Sequence, residues 1–316
     1  ENKIKFKHVQ TPYLPDRGLA VVEAREALPG RFEEKASHYL MCLLYGARLA
    51  LPQLIVAVTR LASRVSKWNA ECDDRLIRLY DFAHDRINDS IHGCLSTHDR
   101  GIAEIWAWPD ADLAGDKLFS SKSTSGRFIE LVGANGRGFP LMWATNKQTG
   151  SALSTSDAET VSLRDCLKME ALAIQSFFSL VLGRPVVLRV MEDNTTCIGS
   201  VEKGYSPAMR YLPRTQRTSL GFLHEVFCEM DDAEIGAAIL QYANTKKHKG
   251  DFFTKDSLSA EEFNAALKSL RIHGSFEDFL RGERNNLGIK PQITPEMAAK
   301  ELAHGPVPKE AEGDEG

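Results

Sequence analysis

Four acidic residues stand where the chain changes from one element to the next. The stretch WPDADLAGDKLFSSKSTSG, Trp108 to Gly126, sets Asp110, Asp112 and Asp116 directly behind the alternating apolar run IAEIWAW. Carboxylates so close repel one another unless something cationic sits among them, so they are either solvated turn residues or metal ligands. Asp110 ends a predicted strand, Glu159 falls in the first turns of a predicted helix, Asp193 ends a later strand, and Asp251 follows the last one. If the first and fourth strands are central parallel neighbours, Asp110 and Asp193 emerge at one sheet edge, where sites on α/β sheets usually form.

The elements that must position these acids can be read from periodicity. The first thirty residues, with TPYLPD and LPG, read as an extended lead-in with turns. Residues 33–67 follow a helical pattern divided at Pro52, and a second helix is expected over Asp73 to Ile87, so residues 1–100 read as a small helical module. After Gly101 the period changes to two. A strand over Ile102 to Trp108 precedes a hairpin of Arg127 to Val132 and Phe139 to Thr145, with GANGRG between its strands. The stretch from Ser151 to Gly183 reads as a capped long helix, and PVVLRVMED as a short buried strand that is a candidate parallel partner of the first. Helices broken near Gly204 to Pro207 and at Pro213 lead to a strand over Glu234 to Tyr242. Ser259 with Glu262 forms a capping box for a helix to about Leu270. From about Leu287 the composition turns to Pro, Gly, Glu and Ala, and a disordered acidic tail is expected.

Composition narrows the class. The chain has 316 residues, 43% apolar and 26% charged, with net charge −4, enough for one large or two medium domains but uninformative about partners. Six cysteines at 42, 72, 94, 166, 197 and 228 form no C-x-x-C pair, which argues against a zinc site or a disulfide framework and for reduced thiols in an intracellular setting. Neither a run of eighteen apolar residues nor a signal-peptide core is present. The chain opens on Glu1 rather than Met, as expected of a processed product or an excised fragment.

Several motifs together carry a resemblance. DADLAGD and KSTSG resemble the opening of the ribonuclease H domain of copia-type retrotransposon polyproteins, whose pattern is close to D-A-D-W-A-G-D followed by K-S-T-S-G; Leu113 replaces the tryptophan. NKQTGSALSTSDAET is similar to that family's K-K-Q and A-L-S-S-T-E-A-E-Y, which aligns Glu159 with the helix glutamate. MEDNTTCI resembles C-D-N-Q-S-A-I and aligns Asp193; GDFFTK resembles A-D-I-F-T-K and aligns Asp251. The segment YLMCLLYGARLALPQLIVAVTRLASRVSKW is similar to the connection that joins reverse transcriptase to ribonuclease H in the same polyproteins, so the resemblance spans roughly Thr11 to Lys255. No Tyr-x-Asp-Asp polymerase signature is present, Thr160 stands where the family commonly has tyrosine, and Arg217, Thr218 and Ser219 replace its His-Ile-Asp.

The resemblance implies an α+β, ribonuclease H-like fold: a mixed five-stranded sheet with flanking helices, preceded by the helical module. It divides the chain into residues 1–100 (connection), 101–256 (ribonuclease H-like) and 257–316 (short helix and tail). It implies metal-dependent endonucleolytic hydrolysis of the RNA strand of an RNA–DNA hybrid during reverse transcription and DNA integration. The partners are then the hybrid and the polymerase part of the same polyprotein, with no membrane. The implied compartment is the cytoplasm, a virus-like particle or the nucleus. Asp110, Glu159, Asp193 and Asp251 are the implied catalytic and metal-binding set. Phosphodiester hydrolysis needs an activated water, in-line geometry and neutralisation of the leaving 3′ oxygen, which two Mg²⁺ about 4 Å apart supply. Magnesium binds carboxylate and water oxygens, so acids from separate elements suffice, and Mn²⁺ is the expected substitute.

Other residues admit two readings. Lys122, Ser123, Arg214, Arg217, Lys246 and Lys247 are candidate nucleic-acid contacts, with Arg210 and Lys249 beside them; the alternative is a solvated face or a polar loop. Asn194 either reads a 2′-hydroxyl or makes a strand-end hydrogen bond. His248, three residues before Asp251, is a candidate mobile proton shuttle, against an exposed loop histidine. Asp112 and Asp116 are expected to be solvated or loop-capping, and Trp106 and Trp108 to be core. A decayed or repurposed nucleic-acid-binding fragment that needs the polymerase part remains the rival to the nuclease.

Overall fold

The computed structural model describes residues 5–113, 122–206, 214–230 and 233–287. The expected acidic tail, Asp116, Arg210 and Pro213 lie outside the described residues.

The helical lead comprises α1 (Leu19–Glu26), α2 (Ala36–Leu49), α3 (Ile55–Ala62) and α4 (Ala70–Asp85). Pro52 separates α2 from α3 and opens a single 3₁₀ turn, Pro52–Leu54, where its missing amide proton costs nothing. Asn69 caps α4 by accepting from the Cys72 amide at 3.0 Å. Helix α1 differs from the extended lead expected over the first thirty residues. None of its residues is buried, so periodicity carried no signal; Arg25 fastens it to α4 through Asp74 at 2.7 Å.

Strands β2 (Glu104–Asp112), β3 (Thr124–Val132), β4 (Gly138–Lys147), β5 (Leu188–Glu192) and β6 (Ala238–Tyr242) form one sheet in the order β4-β3-β2-β5-β6. A two-residue strand β1 (Ser90–Ile91) pairs separately with β7 (Ile272–His273). In the main sheet β2-β3 and β3-β4 are antiparallel, while β2-β5 and β5-β6 are parallel. The sheet is therefore the expected mixed, five-stranded one, with the first and fourth of its strands as parallel neighbours.

Strand β2 runs past its expected end at Trp108, so Asp110 lies within a strand. The Ile105 amide donates to Val187 on the β5 side at 2.9 Å, and alternation turns the Pro109 nitrogen the same way. Pairing with β5 stops at Ala107, so proline breaks no ladder bond there, while β3 goes on pairing to Asp112.

The long helix runs as α5 (Thr155–Cys166), a π turn at Leu167–Ala171, and α6 (Leu172–Leu182), ending on left-handed Gly183 at φ 66°. Helices α7 (Thr195–Lys203) and α8 (Arg214–His224) follow β5, and α9 (Ala260–Ser269) and α10 (Phe276–Leu287) close the described chain. The Ser259–Glu262 capping box is present at α9.

Alternation along β2 and β3 divides the core. Ile105, Ala107, Ile129 and Leu131 pack against α5 to α8 on one face. Trp108 and Phe128 face the other way, into a cluster with α2 to α4, Phe252, Phe253 and α9. Both predicted tryptophans thus lie on the core side, their rings 5.9 Å apart.

Candidate metal and nucleic-acid site

The parallel pair β2-β5 opens at its carboxyl end, and there the four acids meet. Oxygens of Asp110, Glu159 and Asp193 lie within 4.8 Å of one another, and Asp110 also groups within 4.8 Å with Asp251 and a ring nitrogen of His248. Asp110 belongs to both groups. A cleft of about 700 Å³ opens over them, lined by these acids and by Asn194, Thr254 and Lys255.

Three of the acids, Asp110, Glu159 and Asp251, are held by packing that the sequence specifies. The Ser162 hydroxyl of α5 donates to the Asp110 carbonyl at 2.7 Å, and the Thr254 hydroxyl donates to the Asp110 carboxylate. Ser154 caps α5 at the Asp157 amide, 3.2 Å, which sets Glu159 on the first turns of that helix. Gln148, directly after β4, ties that edge strand to β3 and α5, donating to Ser125 Oγ and to the Ala158 carbonyl, each at 2.9 Å. Asp251 sits in the 3₁₀ turn Lys249–Phe253, which lies against β3 because Gly126, opposite Asp110, has no side chain. A Cβ at Gly126 would stand 2.7 Å from Phe253 Cβ and Thr254 Cγ2.

The electrostatics are those of a site short of positive charge. Burial raises the Asp110 carboxyl to about 6, and the charge on Asp251 pushes the same way. Burial lifts Glu159 far above the usual carboxylate range, with Asp110, Glu192 and Asp193 adding to it. Glu192, which the motif reading passed over in favour of its neighbour Asp193, is buried to 1% exposure and raised to about 8 by burial, although it accepts from the Asn194 amide at 3.0 Å. Its signal in the sequence was a second acid on an inward position of a buried strand. Lys255, four residues on and also lining the cleft, pairs with Asp251.

These residues fit divalent cations. Oxygen donors converge from four separate elements, and buried Glu159 Oε2 and His248 Nδ1 have no hydrogen-bond partner in the structure.

The remaining predicted contacts divide. Lys246 and Lys247 are exposed in the turn Thr245–Lys247, and Lys122 is exposed before β3. Ser123 is fully buried, so its hydroxyl does not face a duplex: β3 begins one residue later and draws it inside. Lys249 turns inward to Glu130 at 2.5 Å instead of extending the basic patch. Asn194 caps α7, its oxygen accepting from the Thr196 and Cys197 amides at 3.0 Å, while the residue also lines the cleft. Arg214 and Arg217 lie in the first turn of α8; their side chains lie outside the described residues. Asp112 pairs with Arg60 of α3 at 3.0 Å rather than standing solvated, and Arg60 also reaches Asp256 and the Thr254 carbonyl. His248 is buried, 5% exposed, rather than an exposed loop histidine. Its Nε2 bonds the Met191 carbonyl at 2.9 Å.

Strand order, strand directions and flanking helices are those that the resemblance implies. No family model matches the chain. Among solved structures it is similar to ribonuclease H1 from the halophilic archaeon Halobacterium salinarum, at 14% identity and TM-score 0.31, covering 51% of this chain and 98% of that one. It is also similar to a foamy viral protease–reverse transcriptase in complex with RNA/DNA hybrid, at 15% identity and TM-score 0.38, covering 72% and 27%. A foamy viral protease–reverse transcriptase dRH in complex with double-stranded DNA matches at 13% identity and TM-score 0.37, covering 67% and 32%. The chain thus spans about a third or less of the two viral polypeptides. No helix among the described residues is long and apolar enough to cross a membrane.

Proposed function

We propose that the chain is a metal-dependent ribonuclease H that hydrolyses the RNA strand of RNA–DNA hybrids, and that it derives from a copia-type retrotransposon polyprotein in which a polymerase part precedes it. The observation that carries the reading is the convergence of Asp110, Glu159, Asp193 and Asp251 around one buried carboxylate at the open end of β2 and β5. Two Mg²⁺ ions, when bound, would neutralise charge at the scissile phosphate and lower the pKa of the attacking water. Asp110 would serve both cations, with Asp193 and Glu159 holding one and Asp251 the other, a division that the two groupings of acids support. Asn194 and Thr254 line the approach. Exposed Lys246 and Lys247 beside Asp251 suit a phosphate backbone, and the resemblance adds Arg214 and Arg217. Residues 1–100 would then be the connection segment and 101–256 the nuclease.

The test is cleavage of a labelled RNA–DNA hybrid by the full chain in Mg²⁺, beside Asp193→Asn and an EDTA control. Cutting of the RNA strand by the parent is expected, with a loss on the order of 10³-fold in Asp193→Asn and no cutting in EDTA. A folded parent that binds hybrid equally in Mg²⁺ and EDTA without cutting would refute the nuclease and leave the binding-protein reading.

A further inference from the structure

We propose that His248 is itself a metal ligand, giving the Asp110–Asp251 position one nitrogen donor and so a preference for first-row divalent ions such as Mn²⁺ over Mg²⁺. This rests on the metal-site reading above.

The ring's two nitrogens are distinguished by what surrounds them. A carbonyl can only accept, so the 2.9 Å contact between Nε2 and the Met191 carbonyl puts the proton on Nε2. Nδ1 of the neutral ring is then a lone-pair donor. It is buried without a hydrogen-bond partner, on a residue 5% exposed. A ring nitrogen of His248 lies within 4.8 Å of carboxylate oxygens of Asp110 and Asp251, and Nδ1 is the one not already engaged. Metal-bound histidines commonly show this arrangement: one nitrogen on the metal, the other N–H on a backbone carbonyl that fixes tautomer and plane.

The ring is also held from the sides. Trp108 meets it edge-on, centroids 5.6 Å apart at 77°. Two residues on, Gly250 passes so close that a Cβ there would stand 2.8 Å from both Asp110 Cβ and His248 Cε1. The ring is packed on three sides, by Trp108, by the close approach of Gly250 and by the Met191 carbonyl, with one of its nitrogens among the acids. The charged groups facing it are Asp110 and Asp251, and an orphaned buried acceptor beside two carboxylates is stabilised by a cation. An imidazole among carboxylates raises affinity for later first-row ions more than for magnesium.

The experiment is electron spin-echo modulation of Mn²⁺ bound to the full chain at neutral pH. It is run on protein with ordinary histidine, on protein labelled with [¹⁵N]histidine, and on His248→Gln and His248→Ala. The parent should show the nitrogen coupling of a directly bound imidazole, the label should convert it to the ¹⁵N pattern without any mutation, and both variants should lose it. Titration with Mn²⁺ should show one site weakened about tenfold or more in the variants, with Mg²⁺ affinity less affected. Because the chain has nine histidines, the variants assign the signal and the label establishes that it is histidine. Bound Mn²⁺ without imidazole coupling in the parent, or coupling that persists in both variants, overturns this inference and leaves the carboxylate site standing. A parent that binds no Mn²⁺ overturns both.

Discussion

Replacing Gly126 with alanine probes how closely the Asp251 turn must lie on β3. The added Cβ would meet Phe253 Cβ and Thr254 Cγ2 at 2.7 Å and the Phe253 carbonyl carbon at 2.8 Å. Carbon atoms in contact sit at about 3.5–4.0 Å, so the turn must retreat by roughly 1 Å. The clash involves backbone on both sides and cannot be relieved by a side-chain rotation alone. Overpacking of this kind costs about 1–3 kcal/mol, a Tm lowered by roughly 2 °C or more. The retreat would draw Thr254 off the Asp110 carboxylate and Asp251 away from its partners. A 1 Å misplacement in a reacting constellation costs up to about 10²-fold in rate. Calorimetry gives the first number without reference to function, and hybrid cleavage at saturating Mg²⁺ gives the second. Wild-type Tm and wild-type rate together would refute the account of why glycine stands opposite Asp110. A lowered Tm with an unchanged rate would show that the turn moves without carrying Asp251.

The acids themselves should cost stability when no cation is bound. Asp110 rises from 3.8 to about 6 on folding, so its contribution is complete below about pH 4 and is lost as pH rises through 6. That is about 3 kcal/mol, and Asp110→Asn should be the more stable protein in EDTA at pH about 7.5 yet not at pH about 4; identical pH slopes in urea unfolding would contradict this. Glu130, 1% exposed, pairs with Lys249 at 2.5 Å and more distantly with Arg271 at 3.9 Å, so Lys249→Met should destabilise by about 1–3 kcal/mol and Glu130→Gln added to it should recover part of the loss in denaturant titrations. An unstable double variant would mean that Lys249 acts through its packing over Trp108 and Phe128 instead. Lys246→Ala with Lys247→Ala should weaken hybrid binding and reduce the slope of log affinity against log salt by about 1 per lysine, and an unchanged slope would exclude phosphate contact there.

What the sequence discloses about the site follows from what each signal depends on. Alternation and helix caps set Asp110, Glu159, Asp193 and Asp251 at or near element ends, and the motif resemblance singled them out from the chain's other acids. The long helix, the hairpin and the parallel β2-β5 pair were legible from the same alternation and caps. Long-range burial leaves no such mark. His248 reads as a surface residue among four lysines, and only its bond to Met191, 57 residues away, reveals an interior position. Arg60 has an unremarkable place in α3 but reaches Asp112 and Asp256 across the fold. Helix α1 lacks a buried face, and β7 with its two residues is too short to show a period. Ser123 was misplaced because a Ser-rich run looks like a loop until β3 is seen to begin at Thr124.

The division of the core also bears on inheritance. One face of the central sheet is covered by α2 to α4 and α9 rather than by the helices of the sheet's own crossovers. Recombination that carried off the acids and strands but left the leading helices behind would expose Trp108, Phe128 and Phe253 together, a sticky face on an otherwise intact sheet. Substitutions in the leading helices therefore act on the sheet as well, since those helices keep the far side of the acid-bearing strands dry.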